Sequence, residues 1–187
     1  MFRRRRIYRG GDVPHPYGNL PQQALRRAHR LLDQENYQDA AVIFETIAQG
    51  AQEEGFLGRA PFLYLQAARA RLLAGHVDAG MVWLKQGFDL LADTRRFQAL
   101  QRTGQRAVQE LNRLGQTQQA QEAESWLVHL LEATPAPWSG QSVEPKATPT
   151  LPAKCPQCGA TVRPDEVEWI DKKTPGCAYC GSILKNK

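Results

Sequence analysis

Between residues 21 and 132 apolar side chains recur at three- and four-residue steps, and polar residues fill the intervals. That period predicts helix throughout. Ala24, Leu25, Ala28, Leu31 and Leu32 share one face of a first helix over about 21–34, for which Asn19 is a candidate cap. Ala40, Ala41, Phe44, Ile47 and Ala48 do the same in a second over about 37–49. A third, about 60–74, stops at Gly75, a residue suited to the left-handed backbone just past a helix end. A fourth spans about 77–92. The fifth, about 94–114, sets Leu100, Ala107, Leu111 and Leu114 in phase and stops at Gly115. The sixth, about 116–133, turns Ala120, Ala123, Leu127 and Leu131 inward.

Outside this stretch the period fails. Residues 1–20 hold Gly10, Gly11, Pro14, Pro16 and Gly18 and read as a basic tail. Residues 133–152 hold five prolines among Ala, Ser and Thr, which is the composition of a linker. Residues 153–187 hold all four cysteines. The division is therefore tail 1–20, helical domain 21–132, linker 133–152 and cysteine segment 153–187. No apolar run nears the length of a membrane span; the densest is Phe62-Leu63-Tyr64-Leu65. Arg3 to Arg6 open like a secretion signal, but Gly10, Gly11 and Asp12 follow where an apolar stretch is required. Clustered thiols without a signal point to a metal site in a reducing cytoplasm rather than to disulfides.

The helices read as three pairs. A short turn precedes a small residue, then a bulky one four positions on: Ala40 with Phe44, and Ala79 with Trp83. The third pair has Ala120 but Glu124 at the bulky place. The pattern, with Ala28 and Ala48 in the first copy and Ala67 in the second, resembles the tetratricopeptide repeat, in which small residues sit where the helices of a hairpin approach most closely. The resemblance covers residues 21–132. It departs from the family in a period longer than about 34 residues and in the absence of the usual first-helix Trp and Tyr. It implies a mainly α fold, an array of about six helices in hairpins, and a role in binding other proteins. An irregular helical bundle is the alternative.

In the last segment Cys155-Pro-Gln-Cys158-Gly159 and Cys177-Ala-Tyr-Cys180-Gly181 stand 17 residues apart. Two residues within each pair let both thiolates face one ion, and the Gly after each pair permits the positive φ that turns backbone N–H groups towards sulfur. The gap suits a four-cysteine zinc site. The two knuckles resemble those of short zinc ribbons. That resemblance implies a small β domain holding one structural Zn²⁺ on Cys155, Cys158, Cys177 and Cys180. Glu166-Val167-Glu168-Trp169 alternates as a strand does, and Ile183-Leu184 is a candidate pairing strand. A rubredoxin-like iron site and a redox dithiol are the competing readings.

Charge then changes the picture. The chain has 187 residues and a net charge of +5, but the excess lies in the tail, and residues 22–132 are nearly neutral. Within them the first helices of the three pairs hold ten arginines against Asp33 and Glu110, while the remainder is strongly acidic. Arg102, Arg106, Gln109 and Arg113 form one stripe along the fifth helix, and Arg26 and Arg30 lie on the first. Arginine pairs carboxylates bidentately, so this face is expected to receive an acidic segment of another protein. The alternative is that these arginines pair with acids of the second helices. A nucleic-acid role would use the Arg3–Arg6 tail and the ribbon, and Asp165, Glu166, Glu168 and Asp171 would oppose phosphate there. His15, His29, His76 and His129 are scattered, and no phosphate loop or nucleophile–base pair is present, so the chain is not expected to be an enzyme. Trp83 and Trp126 read as core, Trp138 as an anchor within the linker, and Trp169 as packed in the ribbon.

Overall fold

A computed structural model describes residues 19–133, 151–164, 166–169 and 174–184. The basic tail, Trp138, Asp165, Asp171 and most of the proline-rich stretch lie outside the described residues. The six expected helices are present: α1 (Asn19–Asp33), α2 (Tyr37–Glu53), α3 (Ala60–Leu73), α4 (Val77–Asp93), α5 (Phe97–Arg113) and α6 (Thr117–Glu132). The fold is mainly helical, with one two-stranded sheet in the cysteine segment. No helix among the described residues is long and apolar enough to cross a membrane.

Five turns of one kind join the helices. Residues 35, 55, 75, 95 and 115 all have positive φ, one every twenty positions. At each, the next residue donates its N–H back across the turn, as Asn36 does to the Leu31 carbonyl at 2.9 Å and Gln116 to Leu111 at 2.9 Å. These are Schellman closures, in which a left-handed residue lets the last helical carbonyls find partners. Glycine fills three of the five positions. Glu35 (φ 60°) and Arg95 (φ 56°) adopt the same conformation without glycine's freedom, at a cost of roughly 1–2 kcal/mol each. The closure at Arg95 ends the preceding helix at Asp93. It therefore excludes Arg95 and Arg96 from α5, which the apolar period had extended back to residue 94.

The twenty-residue step sets the hairpin period at forty and corrects the register expected from sequence. The buried small residue in phase with Ala40 and Ala120 is Gly80, not Ala79, and the bulky partner is Leu84, not Trp83. A Cβ at Gly80 would fall 2.7 Å from Leu72 Cγ, so α3 and α4 approach too closely for any side chain there. Trp83 instead lies half-buried and stacks on Tyr64, with centroids 5.4 Å apart and planes 15° apart. Trp126 is likewise half-buried, its indole N–H donating to Asp89 at 3.0 Å. The third pair looks irregular because it is terminal among the hairpins. Glu124 is exposed and Val128 is 45% exposed, since among the described residues no further hairpin covers that face of α6.

The cysteine segment folds back onto the array, and the two share one core. Ala178, Tyr179 and Leu184 are buried in the same cluster as Phe44, Phe62 and Leu63. In it β1 (Glu168–Trp169) pairs antiparallel with β2 (Pro175–Gly176), Glu168 opposite Gly176. Residues 183–184, the candidate pairing strand, form no strand; Ile183 makes a single bridge to Gly176, and β1 pairs with β2 instead. Trp169 departs from expectation. It is 42% exposed, because the strand turns Glu168 towards the helices and Trp169 away.

Candidate metal centre

The two knuckles are built alike. Cys155 N–H donates to the Ala160 carbonyl at 2.8 Å, and Cys177 N–H donates to Ser182 at 2.9 Å. Gly159 N–H returns to Cys155 at 2.9 Å, and Gly181 N–H to Cys177 at 2.8 Å. The glycines take φ of 77° and 71°. A bridge closes each loop, Lys154 with Thr161 and Gly176 with Ile183. Each knuckle thus presents two sulfurs from one tight turn.

The four sulfurs converge. All lie within 4.8 Å of one another and all four cysteines are buried. Cys155 Sγ is 3.7 Å from Cys180 Sγ, and Cys158 Sγ is 3.7 Å from Cys177 Sγ. A tetrahedron with metal–sulfur bonds of about 2.3 Å has edges of about 3.8 Å, so the cage has the size of a four-thiolate ion site. Without an ion these groups compete for protons. Donation from the Cys158, Cys177 and Cys180 thiols pulls Cys155 far below the usual thiol range. The contact with Cys155, then those with the other sulfurs and burial, push Cys158 up. Cys155, Cys180 and burial push Cys177 up against Cys158, which lowers it. A divalent cation removes that competition by ionising all four. The Ser182 hydroxyl lies 3.1 Å from Cys180 Sγ and supplies a hydrogen bond of the kind that orients a ligating sulfur.

The centre is seated on the face formed by α1, α3 and α5. Tyr179, inside the second knuckle, is the plug. Its hydroxyl accepts from Gln66 Nε2 at 2.8 Å and donates to Glu166 Oε2 at 2.7 Å. Its ring meets His29 at 5.6 Å and Phe62 at 6.3 Å, both edge-on. Burial, and then Glu166, hold the phenol well above its ordinary range, so it stays protonated and donates. Arg26 reaches the first knuckle, bonding the Gln157 carbonyl and, at 3.3 Å, the Pro156 carbonyl. Glu166 is buried, and Arg106 and Arg163 hold it at 2.7 and 3.0 Å. Arg96 lies over the Phe62 ring at 4.7 Å, bonds the Gly58 carbonyl at 2.6 Å and sits 3.5 Å from Glu168.

The candidate arginines therefore divide. Arg26 and Arg106 bind the cysteine segment. Arg113 is exposed beside Glu110 at 3.8 Å, and Arg69 holds the same carboxylate at 3.1 Å. Arg30, Arg102 and Gln109 are exposed. One arginine of a first helix does pair with an acid of a second helix, Arg71 with Glu45 at 2.5 Å. The seat itself was missed from sequence. Tyr179 was readable only as a spacer, although a large aromatic between two ligands has no task in the metal site, and that was the available signal. His29 was read as one of four scattered histidines, yet it is buried against Phe44 and Tyr179.

His29 makes the seam acid-sensitive. Its Nε2 is buried without a partner among the described residues. Burial lowers its pKa from 6.5 to about 4, against Asp33 and Cys155, which raise it, and with Lys154, which lowers it. The folded state thus prefers neutral imidazole. That stability is complete above pH 6.5 and is lost as pH falls towards 4, amounting to about 3 kcal/mol over the interval. Acid also protonates the thiolates, so the variant His29→Phe isolates the histidine. Its stability advantage over the parent, from denaturant midpoints, is expected to grow by about 2 kcal/mol between pH 7 and 5. A constant difference would place the acid sensitivity elsewhere.

Fold and site together define a class: an array of helical hairpins carrying a four-cysteine centre able to bind a metal ion, docked on its first-helix face. Comparison of the chain with protein-family models, curated protein sequences and solved structures gives no match.

Proposed function

We propose that this protein is a non-enzymatic adaptor of tetratricopeptide-like architecture that binds an acidic segment of another protein in a reducing cytoplasm, with one structural zinc ion in its ribbon. The observation that carries the reading is the grip on Glu166. Arg106 of α5 holds its carboxylate at 2.7 Å, so the first-helix face offers a guanidinium to an acidic stretch of chain. Arg30, Arg102, Gln109 and Arg113 continue the same polarity onto exposed surface. The forty-residue period, with small residues at the crossings, supports the repeat-like assignment. Zinc suits four buried thiolates at tetrahedral spacing, and four sulfurs leave no open position for substrate or water.

Affinity enrichment of the whole chain from its own cells, with and without nuclease, tests this reading when paired with the double variant Arg30→Glu/Arg102→Glu. Those two side chains are exposed, so their reversal spares the contacts that seat the ribbon. The expected result is a protein set that survives nuclease and is depleted at least about tenfold by the variant, with unchanged helical circular dichroism. Enrichment that disappears with nuclease and falls steeply with salt would replace the adaptor reading with nucleic-acid binding.

A further inference from the structure

The ribbon covers part of the face that the acidic-segment reading gives to a partner, and the present inference rests on that reading. Apart from Lys154 and Leu184, the groups described above that seat the ribbon come from a metal loop or from the acidic turn between the loops. Tyr179 stands between Cys177 and Cys180. The carbonyls taken by Arg26 stand between Cys155 and Cys158. Glu166 and Glu168 face Arg106 and Arg96. Folding of the knuckles around an ion fixes these positions, so docking and metal binding are linked, and each strengthens the other.

The seat is nevertheless incompletely closed. A polar hollow of about 310 Å³ lies between the first knuckle and the helices, bordered by His29, Gln66, Arg69, Arg113 and Arg163. This hollow opens to solvent beside Arg113, and His29 Nε2, buried next to it, has no partner among the described residues, which buried polar atoms seldom lack. At its rim, Lys154 and Asp33 pair at 2.6 Å while both remain more than half exposed, and such pairs contribute little. Beside the apolar contacts of Ala178, Tyr179 and Leu184, this polar, partly open edge is of the kind found between domains that separate.

We infer that the ribbon is a displaceable internal ligand, an acidic, tyrosine-bearing occupant that its metal ion holds on the first-helix face until the ion is lost or a competing acidic segment takes its place. Its chemistry specifies the competitor. Two carboxylates two residues apart, as in Glu166 and Glu168, meet Arg106 and Arg96, and a phenol enters the recess between His29, Phe62 and Gln66. Residues 134–150 connect α6 to the ribbon, so a lifted ribbon stays tethered and returns as an intramolecular competitor.

The test titrates a fluorescent oligoglutamate peptide ending in tyrosine against three forms of the whole chain: metal-loaded parent, metal-loaded Tyr179→Ala, and parent stripped by chelator. Elemental analysis reports the ion, and hydrogen exchange over residues 151–184 reports lifting. The variant and the stripped parent are expected to bind at least about tenfold tighter than the loaded parent, because the masked fraction no longer reduces apparent affinity. Adding Arg106→Glu should remove the gain. If Tyr179→Ala fails to retain metal, the stripped parent alone gives the same comparison. Faster exchange without tighter binding overturns the masking inference, and the acidic-segment reading survives it if the loaded parent still binds through Arg30 and Arg102. No binding by any form overturns both.

Discussion

Removing a bound metal ion from the four-cysteine centre is expected to unfold the cysteine segment and lower the melting temperature of the helices by on the order of 10 °C. The reasoning starts from size. A segment of this length cannot bury enough apolar surface to fold alone, and metal binding at such sites contributes roughly 10–16 kcal/mol. Here the loss reaches the array because Ala178, Tyr179 and Leu184 belong to its core cluster. Undocking them uncovers Phe62 and Leu63 and leaves Arg96 and Arg106 without Glu168 and Glu166. The helices should persist, since Ala40, Phe44, Ala68, Leu84 and Phe88 on α2, α3 and α4 are buried core residues of the array itself. Circular dichroism melting with and without chelator checks the prediction, and Cys158→Ser should reproduce the stripped curve. An unshifted helical transition would mean that ribbon and array fold independently.

The sequence was most informative where local chemistry decides the structure. Two Cys-x-x-Cys-Gly loops close the same way wherever they occur, because the turn, the glycine and the sulfurs are all local. The helices were legible for a similar reason, as most present an apolar stripe; α3 is instead buried at the consecutive positions Phe62, Leu63 and Tyr64. The register of the second hairpin was not, because the closest helix crossing is made by Gly80, which carries no side chain to mark it. Hydropathy therefore favoured Ala79 beside it. The start of α5 was misplaced because Arg95 carries a left-handed turn that glycine carries at residues 55, 75 and 115.

The docking of ribbon on array was the least legible feature, although its ingredients were visible. The polarity of the first helices was readable by counting, and so was the acidity of residues 165–171. What joins them is tertiary. Arg106 and Glu166 are 60 positions apart, and Arg26 and Gln157 are 131 apart. Nothing in a one-dimensional pattern distinguishes an arginine awaiting a partner chain from one already held by its own. The expected acidic segment thus has an intramolecular counterpart on the same face, and Arg30, Arg102 and Gln109 remain exposed beside it.

Tyr179→Ala is expected to cost about 3–5 kcal/mol, the range for removing a buried aromatic ring, and Tyr179→Phe about 1–3 kcal/mol. The two differ in what they leave behind. Phenylalanine keeps the ring against His29 and Phe62 but removes the hydroxyl that accepts from Gln66 and donates to Glu166. Glu166 then still has Arg106 and Arg163, which limits the loss. Alanine removes ring and hydroxyl and opens a cavity continuous with the polar hollow, which also touches Tyr179. Chemical denaturation of the metal-loaded forms gives the two values. A ceiling applies, because a ribbon that lifts as a unit forfeits no more than its docking free energy, whatever the side chain removed. If alanine and phenylalanine cost the same, and each matches the loss on chelation, the ribbon has already lifted in both and the hydroxyl network is what seats it. If alanine costs clearly more, the ring carries the docking and the ribbon remains in place when only the hydroxyl is lost.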